Sequence, residues 1–269
     1  METRRPEETA PDVLTVLAIA TTVYVLAKVI HEGLGHGLTC VLEGGRLVGV
    51  SSAFAQCDLP GQTVLQRRLA VASGTLLNLA VAALAFSWLR LRAPRTLEAR
   101  YALWLTAAVN GLMGSGYLMV DPLFGFGDWT VFLSGLEPRW AYRIGFAAIG
   151  SALTLRWFFL LYPALGPLLA GADNLRQQAR RLCLLPWAVV GGGVMTAGAL
   201  LNYLGPVYAF TSGLATVGGT FLLVWIPTAI PKQPSTEPAL PSGRIGGWRL
   251  AGAAALLFLL LGLGPGFRF

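Results

Sequence analysis

The 269-residue sequence predicts an all-α, polytopic transmembrane helix bundle of six or seven spans with a short hairpin-like insert. Hydrophobic residues make up 55% of the chain and charged residues only 12%, about half the charge of a soluble domain. Mean hydropathy is +0.62. The apolar residues also gather into runs of roughly 20, the length that crosses a bilayer. This composition excludes a soluble globular enzyme, a disordered regulator and a nucleic-acid binder. It leaves open catalysis inside the membrane.

The first apolar run covers about 12–30 and continues as helix to about 42. It lacks a small-residue cleavage site and leads straight into His31-Glu32, so it is expected to be a retained span and not a signal peptide. Further spans are expected at 69–89, 101–120, 142–163, 184–203, 208–229 and 248–263. The last is short and glycine-containing, either a tilted span or a half-buried tail.

Between the first two spans, Gly44-Gly45 signals a turn, and the Val, Ser and Phe that follow suit short strands. Residues 172–182 place Leu175, Ala179 and Leu182 opposite Arg176, Arg180 and Arg181, the pattern of an interfacial helix. The segment 231–244 is Pro-rich and expected to be a flexible loop. No internal repeat is evident, and residues 1–269 read as one membrane domain.

The formal charge is +7, and the basic residues sit mainly between apolar runs, which makes lipid headgroups the expected partners and not nucleic acid. With seven spans, twelve Arg and Lys fall on the N-terminal side. These are Arg4, Arg5, Arg90, Arg92, Arg95, Arg100, Arg176, Arg180, Arg181, Lys232, Arg244 and Arg249. Six fall on the other: Arg46, Arg67, Arg68, Arg139, Arg143 and Arg268. Lys28 and Arg156 lie within spans. The positive-inside rule then puts the N-terminus in the cytoplasm, with a prokaryotic inner or plasma membrane as the expected location. Cys40, Cys57 and Cys183 have no paired spacing, so neither a disulfide nor a thiolate zinc site is expected.

The chemical signal is VIHEGLGHG, residues 29–37, which contains the chain's two histidines. Ionisable groups at membrane depth are costly and functional by default. Two imidazoles beside a carboxylate begin a zinc site with a general base. Histidines four apart lie about 40° apart around a regular helix, whereas five apart, as here, gives about 140°. Either a π-type bulge absorbs the extra residue, made cheap by Gly33 and Gly35, or His36 pairs with Glu32 and no metal binds.

A third ligand would be a carboxylate from another span, since no other His exists. Two acids qualify, Asp121 and Asp128, both near the end of the third span. Each also has an interfacial loop reading, with Trp129 as a membrane anchor. Asn78, one turn after Gly74, either packs helices or holds a substrate backbone near the metal. Asn110 has the same two readings, and Gly111, Gly114 and Gly116 allow close helix contact.

These residues resemble the site-2 protease-like membrane zinc metalloproteases. His31-Glu32…His36 resembles that family's His-Glu-x-x-His, Gly74…Asn78 its Gly-Pro-x-x-Asn, and Asp128 in GFGDW its third-helix aspartate. The likeness covers about 12–135; 136–269 would be accessory helices. It implies a three-helix core around one Zn2+, with His31, His36 and Asp128 as ligands and Asp121 as the alternative third. Glu32 would be the general base, and Asn78 would help hold an unwound transmembrane protein substrate, to which residues 45–55 could add a strand. The first motif is one residue longer than the family's, Thr75 stands in place of Pro, and Trp129 follows the aspartate in place of Gly. The soluble dipeptidyl peptidases of the third type carry a similar longer His-Glu spacing. Two other readings are a non-proteolytic metal-binding membrane protein or pseudoprotease, and a metal-free transport or structural protein.

Overall fold

The computed structural model describes residues 11–269; Arg4 and Arg5, counted above for orientation, lie outside them. Among the described residues, seven helices are long and apolar enough to cross a membrane: α1 (Val13–Leu42), α2 (Val64–Leu91), α3 (Leu97–Phe124), α5 (Arg139–Ala164), α6 (Leu175–Leu200), α7 (Pro206–Ala229) and α8 (Ile245–Leu263). A short α4 (Gly127–Phe132) follows α3. The strands are β1 (Arg46–Val50), β2 (Ala55–Asp58) and β3 (Phe267–Arg268), forming an antiparallel sheet in the order β2-β1-β3.

Caps explain where helices begin. The Asp12 carboxylate accepts from the Thr15 backbone N–H at 3.1 Å and opens α1. Thr63 and Gln66 form a reciprocal capping box, so α2 starts five residues before the expected 69. Because lipid supplies no hydrophobic drive between helices, the bundle depends on close packing and internal hydrogen bonds. The central helix is α3, with 83% of its apolar window buried, against 11% for the peripheral α8. Outward faces carry Leu84, Trp88, Phe159, Leu250 and Leu261, an apolar belt suited to lipid.

Three expectations need correction. Residues 172–182 do not form a helix of their own: from Leu175 they are the first turns of α6. Pro186 cannot donate to the Leu182 carbonyl, and the Tyr101 hydroxyl donates to it instead at 3.0 Å, so the helix runs on. The Pro-rich segment is not free. Leu97, Gly171 and Leu175 donate backbone N–H groups to it, and the Ser242 hydroxyl and Gly243 N–H both donate to buried Glu98 at 2.6 Å.

The third correction concerns cysteine. Cys40 and Cys57 are disulfide-bonded, because β2 folds the chain back onto the end of α1. Sequence spacing does not register such a fold-back. Closing a loop of this length removes about 3 kcal/mol of unfolded-chain entropy. Unfolded, unreduced protein is expected to react with maleimide at Cys183 alone, and at all three cysteines after reduction. Equal labelling with and without reductant would show the pair to be unlinked.

The hairpin turn enters the bundle. Ser51 and Ser52 are buried. The Asn202 side-chain amide donates to the Ser51 hydroxyl at 2.7 Å, and the Ser212 hydroxyl donates to the Ser52 carbonyl at 3.3 Å. The insert therefore roofs one end of the bundle, the end toward which His31, Glu32 and His36 lie.

Candidate metal centre

Residues Val29–Gly37 of α1 are a π-helix. The Leu38 backbone N–H reaches the Gly33 carbonyl, five residues back. A turn closed over five residues puts His31 and His36 on one face, with ring centroids 4.9 Å apart. The bulge thus reconciles the five-residue spacing with a shared site. Gly35 packs on Gly74 of α2, where neither position has room for a side chain. A Cβ at Gly35 would lie 2.5 Å from the Gly74 Cα, and one at Gly74 would lie 2.7 Å from His36 Nε2.

The third group arrives from α4. Gly127 takes a positive φ of 73° and is crowded by the Asp121 carboxylate. This turn brings Asp128 Oδ2 to 3.2 Å from His31 Nε2 and 3.1 Å from His36 Nε2. One ligand atom from each of the three residues lies within 4.8 Å of the others. Asp121 is fully buried and lines the same cavity, but it is not among these three. Its carboxylate instead accepts from the Trp129 backbone N–H at 3.4 Å, which helps to shape the turn.

A chain of hydrogen bonds sets the polarity of the His31 ring. Asn110 Nδ2 donates to the Thr106 carbonyl at 2.9 Å, leaving its Oδ1 to accept from Asn78 Nδ2 at 2.9 Å. That leaves Asn78 Oδ1 facing His31 Nδ1 at 3.0 Å, so the proton belongs on Nδ1. His36 Nδ1 likewise faces the Ala70 carbonyl at 2.7 Å. Both Nε2 lone pairs then point at a carboxylate. Three acceptors converge with no donor among them, and a shared cation resolves this. A proton serves one pair, whereas a metal ion serves all three. Asn78, expected as a packing or substrate residue, has both ends of its amide committed within this chain.

Charge favours the same conclusion. Buried Glu32 and Asp121 stand beside Asp128, whose side chain is 23% exposed, and Lys28 is the one buried Lys or Arg among the described residues. A bound cation would offset this excess of carboxylates. The donor set, two imidazoles and a carboxylate with room for more, fits a metal of the zinc type.

The two side chains that depart from the site-2 protease-like pattern meet each other. Trp129 Nε1 donates to Thr75 Oγ1 at 3.0 Å, both residues being buried, which ties α4 to α2 beside Asp128. Next to the triad is a cavity of about 530 Å³. Glu32, Tyr117 and Asp121 line it, with Phe54 of the hairpin turn and Tyr208 and Thr211 of α7.

Sequence reasoning missed two participants. Lys28 was noted only as lying within a span, although it stands one turn before Glu32. Its Nζ lies 4.0 Å from Glu32 Oε1 and donates to the Tyr117 and Ser212 hydroxyls, each at 3.0 Å. Tyr117 carried no signal, and its ring stacks on His31 at 4.5 Å between centroids. No known protein family matches this chain, and no curated protein or solved structure is significantly similar to it. The chain is a membrane-spanning helix bundle holding a His-His-Asp cluster able to coordinate a metal ion.

Proposed function

We propose that this protein is a metal-binding membrane protein whose cofactor is Zn2+, held by His31, His36 and Asp128, and that it hydrolyses peptide bonds in or near transmembrane segments. The observation that carries the metal is the convergence of two Nε2 atoms and one carboxylate oxygen with no donor among them. When bound, such a metal acidifies a water and polarises a carbonyl. Glu32, which lines the cavity beside the triad, takes the water's proton and passes it to the leaving amine. Asn78 and the Ala70 carbonyl orient the two imidazoles. The substrate is a locally unwound segment of a membrane protein, since a helical amide already paired with its own backbone is inaccessible. The resemblance to site-2 protease-like enzymes supports this chemistry.

Two features support a non-cytoplasmic setting for the hairpin end. Seven spans keep the arginine asymmetry at the opposite end, and a disulfide belongs to an oxidising compartment.

A second reading, a metal site without proteolysis, draws on the ammonium of Lys28 only 4.0 Å from Glu32. It also draws on Thr75 and Trp129, which stand where the family has other residues. The two readings part at Glu32→Gln. In proteoliposomes with a transmembrane reporter segment, this variant is expected to keep its metal and lose cleavage by about 10²–10⁴-fold. Cleavage at the wild-type rate would remove Glu32 as the base, and no wild-type cleavage above that of the variant, with metal bound, would overturn the proteolytic reading and leave the metal-binding one.

A further inference from the structure

We propose that Tyr117 is a catalytic residue that donates a hydrogen bond to the oxygen gaining negative charge as the scissile carbonyl is attacked, with Lys28 and Ser212 as its positioning residues. This assignment rests on the metal-assisted hydrolysis proposed above. Its geometric basis is the hydrogen bonding of Lys28, Tyr117 and Ser212 beside the ligand triad.

Lys28 is a cation inside a membrane span, 1% exposed, an arrangement that is expensive unless it serves a purpose. It does not line the cavity, so it acts through its neighbours. Its ammonium donates to two hydroxyls, those of Tyr117 and Ser212. The Ser212 hydroxyl passes its own proton on to the Ser52 carbonyl at 3.3 Å and is thereby spent. The Tyr117 hydroxyl is different. It accepts from Lys28, and no acceptor among the described residues takes its proton.

Tyr117 lines the cavity and is only 6% exposed. A buried hydroxyl normally finds an acceptor, so an unspent donor at this position marks where an acceptor is brought in. Its ring is stacked on His31, which fixes the hydroxyl relative to the triad. An ammonium donating into the phenol oxygen withdraws electron density and makes the O–H a stronger donor. A preorganised donor of this kind, in a site shielded from water, is effective because nothing must reorganise as charge develops. The peptide carbonyl of an extended chain segment in the cavity is the acceptor this arrangement fits.

The test compares two peptide ligands on zinc-loaded protein by calorimetry. One is a phosphinic peptide, whose tetrahedral anionic group imitates the charged oxygen. The other is a thiol peptide, which binds the metal through sulfur and carries no tetrahedral anionic oxygen for Tyr117. Tyr117→Phe keeps the ring on His31 and removes only the hydroxyl. It is expected to retain one metal per chain, bind the thiol peptide as wild type does, and bind the phosphinic peptide roughly 10²-fold more weakly. Lys28→Met is expected to shift the same ratio in the same direction. Equal phosphinic affinity in wild type and Tyr117→Phe, with metal retained, would overturn the assignment. Loss of the phosphinic preference in Tyr117→Phe, with no reporter cleavage by the wild type above that of Glu32→Gln, would instead keep Tyr117 as the donor to a bound anionic oxygen and overturn proteolysis.

Discussion

Protein purified in detergent without chelator and resupplied with zinc is expected to carry one metal ion per chain, and Asp128→Ala and His31→Ala to carry none. The expectation follows from the hydrogen-bond chain that begins at the Thr106 carbonyl and runs through Asn110 and Asn78 to His31 Nδ1. With both Nδ1 positions donating, the two Nε2 atoms and Asp128 Oδ2 are all acceptors at 3.1–3.2 Å. Removing Asp128 leaves two neutral imidazoles, too few for a tetrahedral site at membrane depth. Asn78→Leu gives a graded comparison. It releases the His31 ring without touching a ligand, and a loss of about 10–100-fold in metal affinity is expected. Metal content by elemental mass spectrometry reads all three variants. Stoichiometric zinc in Asp128→Ala would remove Asp128 as a ligand, and none in the wild type would remove the metal reading.

Gly74→Ala is expected to abolish metal binding almost as completely, although Gly74 supplies no ligand atom. An added Cβ there would lie 2.7 Å from His36 Nε2, 2.8 Å from its Cε1 and 2.9 Å from His31 Cε1. Neither ring can swing aside without breaking its Nδ1 hydrogen bond, and the α2 backbone is pressed against Gly35. Overpacking of this kind costs about 1–3 kcal/mol, and here it falls on the ligands themselves. Gly213→Ala is the control, because a Cβ at that position would meet nothing closer than Thr196 Oγ1 at 3.7 Å. It is expected to leave metal content and melting temperature unchanged. A Gly74→Ala protein that holds zinc as tightly as wild type would show that α2 and the π-helix are free to separate.

The departures from the site-2 protease pattern read differently once the fold is known. The extra residue between the histidines is absorbed by a five-residue turn that keeps both rings on one face. Thr75 and Trp129, two separate anomalies in the sequence, are hydrogen-bonded partners that hold α4 against α2. Trp129 directly follows Asp128, so the pair sits beside the cluster.

The seven spans, the hairpin insert and the anomaly of residues 29–37 were legible in the amino-acid sequence alone, because each is local. Hydropathy is summed over one run of residues, turn chemistry sits in adjacent positions, and a His-Glu pair in an apolar helix is anomalous wherever that helix packs. The bulge was legible as one of two alternatives, since Gly33 and Gly35 permit it without requiring it. Tertiary structure decided the rest. It brought Asp128 and not Asp121 to the histidines, joined Cys40 to Cys57, spent Asn78 on a ring nitrogen and set Lys28 beneath Tyr117. These pairings link positions 17 to 97 residues apart. They depend on which helix faces touch and how closely glycine lets them approach, and no local pattern encodes that.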